Sequence, residues 1–229
     1  MAVLEGGTSA VVAEVGAVSA KGLHVITKPI DHGVLGHYRI APSTGILGAT
    51  LAANAQLLQF KWTDATRLAV ITYIEARFQT LTKFTAATLT DYGSLDGIVI
   101  RPTYTGGGGG TALTMTGNNA KVRTSMGTSL VGEIRVATTG LLTAVSATLD
   151  TQPFCSWTMT GSTATSSATV EQGNSQGGIM YDADNGGGGS HPLVLAQNEG
   201  FIIRNRTVWP AAGTGMYSFT VHWAEVTAF

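Results

Sequence analysis

The chain is short of charged side chains. Of its 229 residues, 13 are Lys or Arg and 14 are Asp or Glu, so that 12% are charged, about half the roughly 25% usual in a soluble domain. Hydrophobic residues make up 44% of the chain, which also contains 30 glycines. Because a monomer of this size normally covers its surface with charge, the shortage predicts that neighbouring molecules cover part of it. We therefore expect a component of an assembly.

Other absences exclude several classes of protein. The net charge of −1 and the lack of a Lys/Arg cluster argue against binding to nucleic acid or to anionic lipid. No stretch of 18 apolar residues could span a membrane, and the segment from Met1 to Val18 lacks the pattern of a secretory signal. The single cysteine, Cys155, cannot form an intrachain disulfide. We expect folding in a cytoplasm, with no membrane and no nucleic acid as partner.

Alternating apolar and polar residues predict β-strands from residue 37 onward. Leu58, Phe60 and Trp62 form an apolar face, and Gln59 and Lys61 on the opposite face are expected to be solvated. A second alternating run covers residues 67–78, and the two runs together predict a hairpin. Further strands are predicted at 98–104, 133–137, 154–159, 168–171, 178–182, 193–196, 201–206 and 216–226. The only helical candidate is 48–58, where one or two turns at most are expected.

Eight to ten short strands separated by loops rich in Gly, Asn, Ser and Thr predict an all-β fold. We expect an antiparallel β-sandwich over residues 37–229, with a jelly roll as the favoured topology. Residues 1–36 have no sustained period and predict an extended N-terminal arm. An arm this apolar is expected to lie along its own domain or a neighbouring subunit, and a floppy tail is the alternative.

Two glycine runs, 106–110 and 186–189, are candidates for binding. Neither has the spaced glycines, the following helix and the Lys-Ser/Thr pair of a phosphate-binding loop. Two interpretations remain open: flexible surface loops, or an interface where the backbone of a partner approaches closely. The second interpretation makes the following glycines interface candidates: Gly106, Gly107, Gly108, Gly186 and Gly187.

The chemistry-bearing residues predict no catalytic site, no cofactor and no metal. His32 and His37 stand five apart in a glycine-broken segment and cannot share a helix face as metal-binding pairs do. The run from Asp182 to Gly186 resembles a calcium loop but lacks the closing Glu. Cys155 lies in a predicted strand, where a buried structural thiol is the common outcome. We therefore expect a protein that is not an enzyme.

The four tryptophans divide into two groups. Trp62, Trp157 and Trp223 lie within strand patterns and are expected in the core. Trp209 precedes a proline in a predicted loop, which makes it the best candidate for an exposed contact with carbohydrate or protein.

Several short segments, in this order, resemble small uncharacterised proteins of tailed bacteriophages. The segments are Val25-Ile26-Thr27-Lys28-Pro29, Gly36-His37-Tyr38-Arg39-Ile40, Leu51-Ala52-Ala53-Asn54, Phe60 to Arg67, and Asn198 to Arg204. The resemblance spans most of the chain, but it transfers no catalytic or binding residue. It implies a virion structural protein.

Within that class we expect a capsid decoration (cement) protein, made in the host cytoplasm and located on the capsid exterior. Its expected partners are the major capsid protein and copies of itself, as a homo-oligomer such as a trimer. A tail or head-fibre component is the alternative in the same class, and a carbohydrate-binding adhesin the alternative in a different one. A glycan depolymerase is disfavoured because no acid/base pair can be named.

Overall fold

The fold is that of a computed structural model, which describes residues 4–6, 11–13, 36–48, 51–85, 93–105, 107–138, 140–144, 147–158, 175–184 and 191–227. The chain forms two compact units, Met1–Asp31 and His32–Phe229. In the first unit, strands β1 (Leu4–Gly6) and β2 (Val11–Ala13) pair antiparallel. The remainder of the predicted arm up to residue 35 lies outside the described residues, and its role as an arm stays a prediction.

The regular secondary structure of the second unit, in its described residues, consists of strands. Its strands are β3 (His37–Ile40), β4 (Gln56–Trp62), β5 (Leu68–Thr85), β6 (Leu95–Ile100), β7 (Gly108–Gly109), β8 (Thr111–Ala112), β9 (Val131–Val136), β10 (Leu142–Thr143), β11 (Cys155–Trp157), β12 (Ser175–Asp182), β13 (Leu193–Leu195), β14 (Gly200–Asn205) and β15 (Ala212–Val226). No helix occurs among the described residues. The prediction of an all-β fold is confirmed.

These strands form two large antiparallel sheets and one small one. The five-stranded sheet has the order β12-β5-β15-β3, with β13 also paired to β5. The six-stranded sheet has the order β11-β6-β14-β4-β9-β8, and β7 pairs with β10 separately. Strands β5 and β15 form the longest ladder, which runs from Leu68 paired with Val226 to Thr85 paired with Ala212.

The core lies between the two large sheets. Tyr217, Phe219, Val221 and Trp223 alternate along β15 and are all buried. The ring of Trp223 meets the ring of Phe60 in β4 edge-to-face, with centroids 5.4 Å apart. Such aromatic pairs contribute about 0.5–1.5 kcal/mol beyond the area they bury. Facing antiparallel sheets with one shared core make the unit a β-sandwich, as the sequence predicts.

The pairing order is nested. Eight strands follow this order along the chain: β3, β4, β5, β6, β11, β12, β14 and β15. The first strand pairs with the eighth, the second with the seventh, the third with the sixth and the fourth with the fifth. The first and third pairs belong to the five-stranded sheet, and the other two to the six-stranded sheet. Residues 101–154, with β7 to β10, are inserted between the fourth and fifth strands.

Two local predictions are wrong. Strands β4 and β5 do not form a hairpin: β4 pairs with β14 and β9, whereas β5 pairs with β15, β12 and β13. The turn between them carries the chain from one sheet to the other, and Asp64 Oδ1 accepts hydrogen bonds from the N–H groups of Thr66 and Arg67, both at 2.8 Å.

The predicted helical turn is absent from the described residues 51–58. The backbone of Asn54 donates to Asn205 O at 2.7 Å, and Asn205 donates back to Ala55 O at 2.9 Å. Strand β4 then begins at Gln56. Backbone pairing with β14 therefore satisfies the groups that a helix would have paired internally.

Candidate interaction surfaces

The first glycine run lies against its own sheet. Gly107 donates its N–H to Glu133 Oε2 at 3.2 Å, and Gly108 and Gly109 form β7. A Cβ on Gly107 would clash with Gln59 Oε1, and one on Gly108 would lie 3.3 Å from Thr143 Oγ1. Gly107 and Gly108 therefore allow their backbone to lie close to side chains of the same chain. Whether these glycines also meet a partner stays a prediction.

The other predicted interface glycines cannot be placed. Gly106, Gly186 and Gly187 lie outside the described residues. Their proposed interface role stays a prediction.

A buried polar cluster lies beneath the glycine run, on the outer face of the six-stranded sheet. Gln59 is fully buried, and its Nε2 donates to Gln56 Oε1 at 2.7 Å and to Thr143 O at 2.9 Å. Gln59 Oε1 has no hydrogen-bond partner in the described part of the chain. The prediction of a solvated face at Gln59 is wrong because β7 and β10 cover this part of the sheet.

Trp209 is buried, and the prediction that it is exposed is wrong. Only 2% of its surface is accessible, and its ring meets Phe84 and Phe78 edge-to-face at centroid distances of 5.1 and 5.6 Å. Its indole N–H donates to Asn205 Oδ1 at 3.1 Å. The loop between β14 and β15 folds this side chain inward. The alternative of a carbohydrate-binding adhesin therefore loses Trp209, the exposed residue on which it depended.

The described loops at one end of the sandwich carry almost no charge. We call this end the charge-poor end and define it by the described loops 41–48, 51–55, 137–138, 140–141 and 206–211. These loops are joined by backbone hydrogen bonds, including Gly45 N to Ala137 O at 2.8 Å and Trp209 N to Leu51 O at 2.9 Å. Their one charged residue is Arg206.

Apolar side chains are exposed at the charge-poor end. Ile46 is 71% exposed, Val208 53% and Leu141 47%. Arg206 binds Asp96 through two nitrogens, at 2.8 and 3.0 Å, so its charge is neutralised locally. The charge-poor end therefore presents apolar groups to solvent with little charge to repel a neighbour.

The opposite end of the sandwich carries most of the loop charges. We call it the polar end and define it by the described loops 63–67, 101–105, 147–150, 183–184 and 196–199. Its charged residues are Asp64, Arg67, Arg101, Asp150, Asp184 and Glu199. Arg101 pairs with Asp150 at 2.6 and 3.0 Å. Hydrogen bonds from Thr66 and Arg67 hold the pKa of Asp64 below its ordinary value. The polar end therefore has the charged loops typical of a surface in contact with solvent.

Aromatic and titratable side chains meet on the outer face of the five-stranded sheet. The rings of His37 and His222 lie edge-to-face with centroids 6.0 Å apart, and Tyr73 lies 5.3 Å from His222. Burial lowers the pKa of His222, and the charge of Arg39 lowers it further. Among the described residues no three His, Cys, Asp or Glu side chains could together hold a metal ion. His32 lies outside the described residues.

Cys155 is buried, as the sequence predicts. It lies in β11 beside Gly97, and burial raises the pKa of its thiol to about 12. A thiol with so high a pKa is a poor nucleophile at neutral pH.

Glu225 is a fully buried charged residue that the sequence analysis did not identify. Glu225 is fully buried in β15, where it accepts hydrogen bonds from Ser129 and Leu130. The signal for it was present, because Glu225 continues the alternating inward row of Val221 and Trp223.

Comparison of the chain with known protein families, curated proteins and solved structures finds no match. In the described part of the chain there is also no helix long and apolar enough to cross a membrane.

Proposed function

We propose that the protein is a virion structural protein of a tailed bacteriophage, a capsid decoration protein that binds the head through protein-protein contacts. The observation that carries this proposal is the charge-poor end, where Ile46, Leu141 and Val208 are exposed on loops with almost no charge. The resemblance of the sequence to small phage proteins supports the same class.

The strand order supports the proposal. The nested pairs β3–β15, β4–β14, β5–β12 and β6–β11 are what a jelly roll requires, since that fold winds eight strands into two sheets through two Greek keys. We propose that the sandwich is a jelly roll. Jelly rolls occur in viral capsid proteins and in lectins, so this topology is compatible with an assembly role without specifying one.

The energetics of docking favour a surface of this kind. Full burial of one Ile, Leu or Val side chain contributes about 1.5–3 kcal/mol, from which the cost of association is subtracted. Three such side chains give modest affinity for one copy. A homo-oligomer, such as a trimer, would bind a symmetric capsid site through several copies at once and gain avidity.

The decisive experiment compares charges introduced at the two ends. The double variant Ile46→Lys/Val208→Lys places two cations at the charge-poor end, and Thr105→Lys/Gln197→Lys places two at exposed positions of the polar end. We expect the first variant to lose occupancy on purified heads and the second to keep it. Equal occupancy of both variants would refute docking through the charge-poor end.

Imaging of particles with and without the protein tests the class itself. Density on the head exterior supports decoration, and density on the tail or on a fibre supports the alternative location. A stable monomer in solution that is found on no particle would exclude both. Deletion of residues 1–30 tests whether the arm bridges neighbouring subunits, because unchanged occupancy and unchanged particle stability would exclude that role.

A further inference from the structure

An arginine without a carboxylate partner borders the charge-poor end. Arg204 is the penultimate residue of β14, and loop 206–211 of the charge-poor end follows this strand. Ile202, two residues earlier, pairs in register with Gln59 on the outer face of the six-stranded sheet. Because side chains alternate along a strand, Arg204 lies on the same outer face. Its neighbours in register are Asp96 of β6 and Gln56 of β4.

Both neighbours of Arg204 use side-chain acceptors for other partners. Asp96 Oδ1 accepts hydrogen bonds from Nε and Nη2 of Arg206, at 3.0 and 2.8 Å. Gln56 Oε1 accepts a hydrogen bond from Gln59 Nε2 at 2.7 Å. Arg204 and Arg206 therefore lie beside one carboxylate, which binds Arg206, and one positive charge is left in excess at this place.

Arg204 is half-buried in spite of this excess charge. Its Nε is buried and makes no hydrogen bond in the described part of the chain. The other half-buried arginines of that part each have a carboxylate oxygen within 3.9 Å: they are Arg67, Arg135 and Arg206. Among the described carboxylates none forms an ion pair with Arg204. A partly buried charge and a buried N–H without a partner both cost free energy, so a partner for Arg204 would be favourable.

A carboxylate is the chemical group that suits Arg204. A guanidinium group has donors only, arranged as a planar fork that matches the two oxygens of a carboxylate. The exposed side chain of Val208 lies four residues further along the chain, on the apolar surface of the charge-poor end. A partner that covers both must offer apolar groups together with an anion, which is the chemistry of a protein surface with an Asp or Glu side chain.

We propose that Arg204 binds an Asp or Glu side chain of the major capsid protein when the charge-poor end docks on the head. This proposal rests on the function proposed above and adds the chemistry that the partner must present. Ile46, Leu141 and Val208 supply apolar contact, whereas Arg204 supplies orientation and selectivity. A charged pair fixes the register of two surfaces and disfavours partners that lack the opposite charge.

Binding of the variant Arg204→Gln to purified heads tests the proposal. Glutamine is polar but carries no charge, and the loss of a hydrogen-bonded charged pair corresponds to roughly 10- to 100-fold in affinity. The matched control is Arg39→Gln, which removes the same charge from an exposed position of β3 in the other large sheet. The control should keep the wild-type affinity. Wild-type affinity in Arg204→Gln, or equal losses in both variants, would overturn the proposal.

The stability of the free protein separates a binding role from a structural one. Arg204→Gln should leave the midpoint of urea unfolding unchanged or raise it, because no bonded partner of Arg204 is lost within the described chain. Arg206→Gln should lower the midpoint, because it removes the partner of the buried Asp96. Equal losses of stability in the two variants would show that Arg204 is a structural residue and would overturn the proposal.

Sedimentation of the free protein tests the source of the carboxylate. We expect Arg204→Gln to keep the oligomeric state of the wild-type protein. An oligomer that Arg204→Gln dissociates would assign the carboxylate to a second copy of the chain and overturn its assignment to the major capsid protein.

A final measurement needs no heads and so separates this proposal from the proposed function. The arginine Nε–H resonances of the wild-type protein are followed by NMR while sodium acetate is added, with sodium chloride at equal ionic strength as the reference. Acetate should shift the resonance of Arg204 several times more than that of Arg39. Equal shifts would overturn the carboxylate site. A selective shift without any binding of the wild-type protein to heads would support the site and refute the proposed function.

Discussion

The charge-poor end and the polar end close the same sandwich with opposite chemistry. At the charge-poor end, loops are fixed by backbone hydrogen bonds and by Asn205, and Ile46 and Val208 face solvent. At the polar end, loops carry ion pairs such as Arg101–Asp150, and a carboxyl group, Glu225, is buried. The two ends share the same sheets, so the difference between them lies in the loops. The two ends thus differ in loop composition: one exposes apolar side chains, and the other exposes charged side chains.

The largest expected effect is at the base of the charge-poor end. Trp209→Ala should lower the free energy of unfolding by about 3–5 kcal/mol, because it removes a buried ring that packs on Phe78 and Phe84. Urea unfolding followed by circular dichroism measures the loss. Val208→Ala, one residue away and exposed, is the matched control and should change stability by less than about 0.5 kcal/mol. Equal losses in the two variants would contradict the inward packing of this loop.

A smaller effect is expected from the residue that organises the same loop. Asn205 is fully buried, and its Nδ2 donates to Ala52 O at 3.1 Å and to Thr207 O, while its Oδ1 accepts from Trp209. Asn205→Ala leaves the buried indole N–H of Trp209 without its acceptor and should cost about 1–3 kcal/mol.

The control for this prediction is Asn118→Ala, at an exposed amide that accepts a hydrogen bond from Lys121 at 3.3 Å. This change should be nearly neutral in the same urea titration. If the two asparagine variants were equally stable, the charge-poor end would not depend on buried hydrogen bonds.

The smallest effects should come from the ion pairs of the two ends. Asp96 of β6 is buried and binds Arg206 of the charge-poor end, whereas Asp150 at the polar end is partly exposed and binds Arg101. Exposed pairs contribute about 0.2–1 kcal/mol, and screening by salt weakens them. We expect Asp96→Asn to cost more than Asp150→Asn, and the difference to persist in 1 M NaCl. A reversed order would show that burial does not distinguish these two pairs.

Much of the strand content was predictable from the sequence. The run predicted at 216–226 is the C-terminal part of β15, and the run predicted at 193–196 corresponds to β13. These predictions succeed because a strand with one buried face alternates in hydrophobicity with a period of two, which is a local property. The same period could have identified Glu225 as an inward residue.

The wrong predictions concern which strands pair with each other and which side chains other segments cover. Alternation does not reveal that β4 and β5 belong to different sheets, because any two amphipathic strands present compatible faces. Gln59 has the polar side chain of a solvated face, yet β7 and β10 cover it from more than forty positions away in the chain. The sequence around Trp209 indicates a loop, whereas its burial depends on contacts with Phe78 and Phe84, which are distant in the chain.

The sequence by itself determined the all-β class, the alternating faces of strands such as β15 and the scarcity of charge, since these follow from the order and kind of neighbouring residues. Only the tertiary structure decided which strands pair, where the uncharged loops gather and which polar groups lose their water. The physical reason is that burial depends on segments distant in the chain. Ile46, Leu141 and Val208 therefore lie on loops at one end of the sandwich, and Glu225 lies inside the other end.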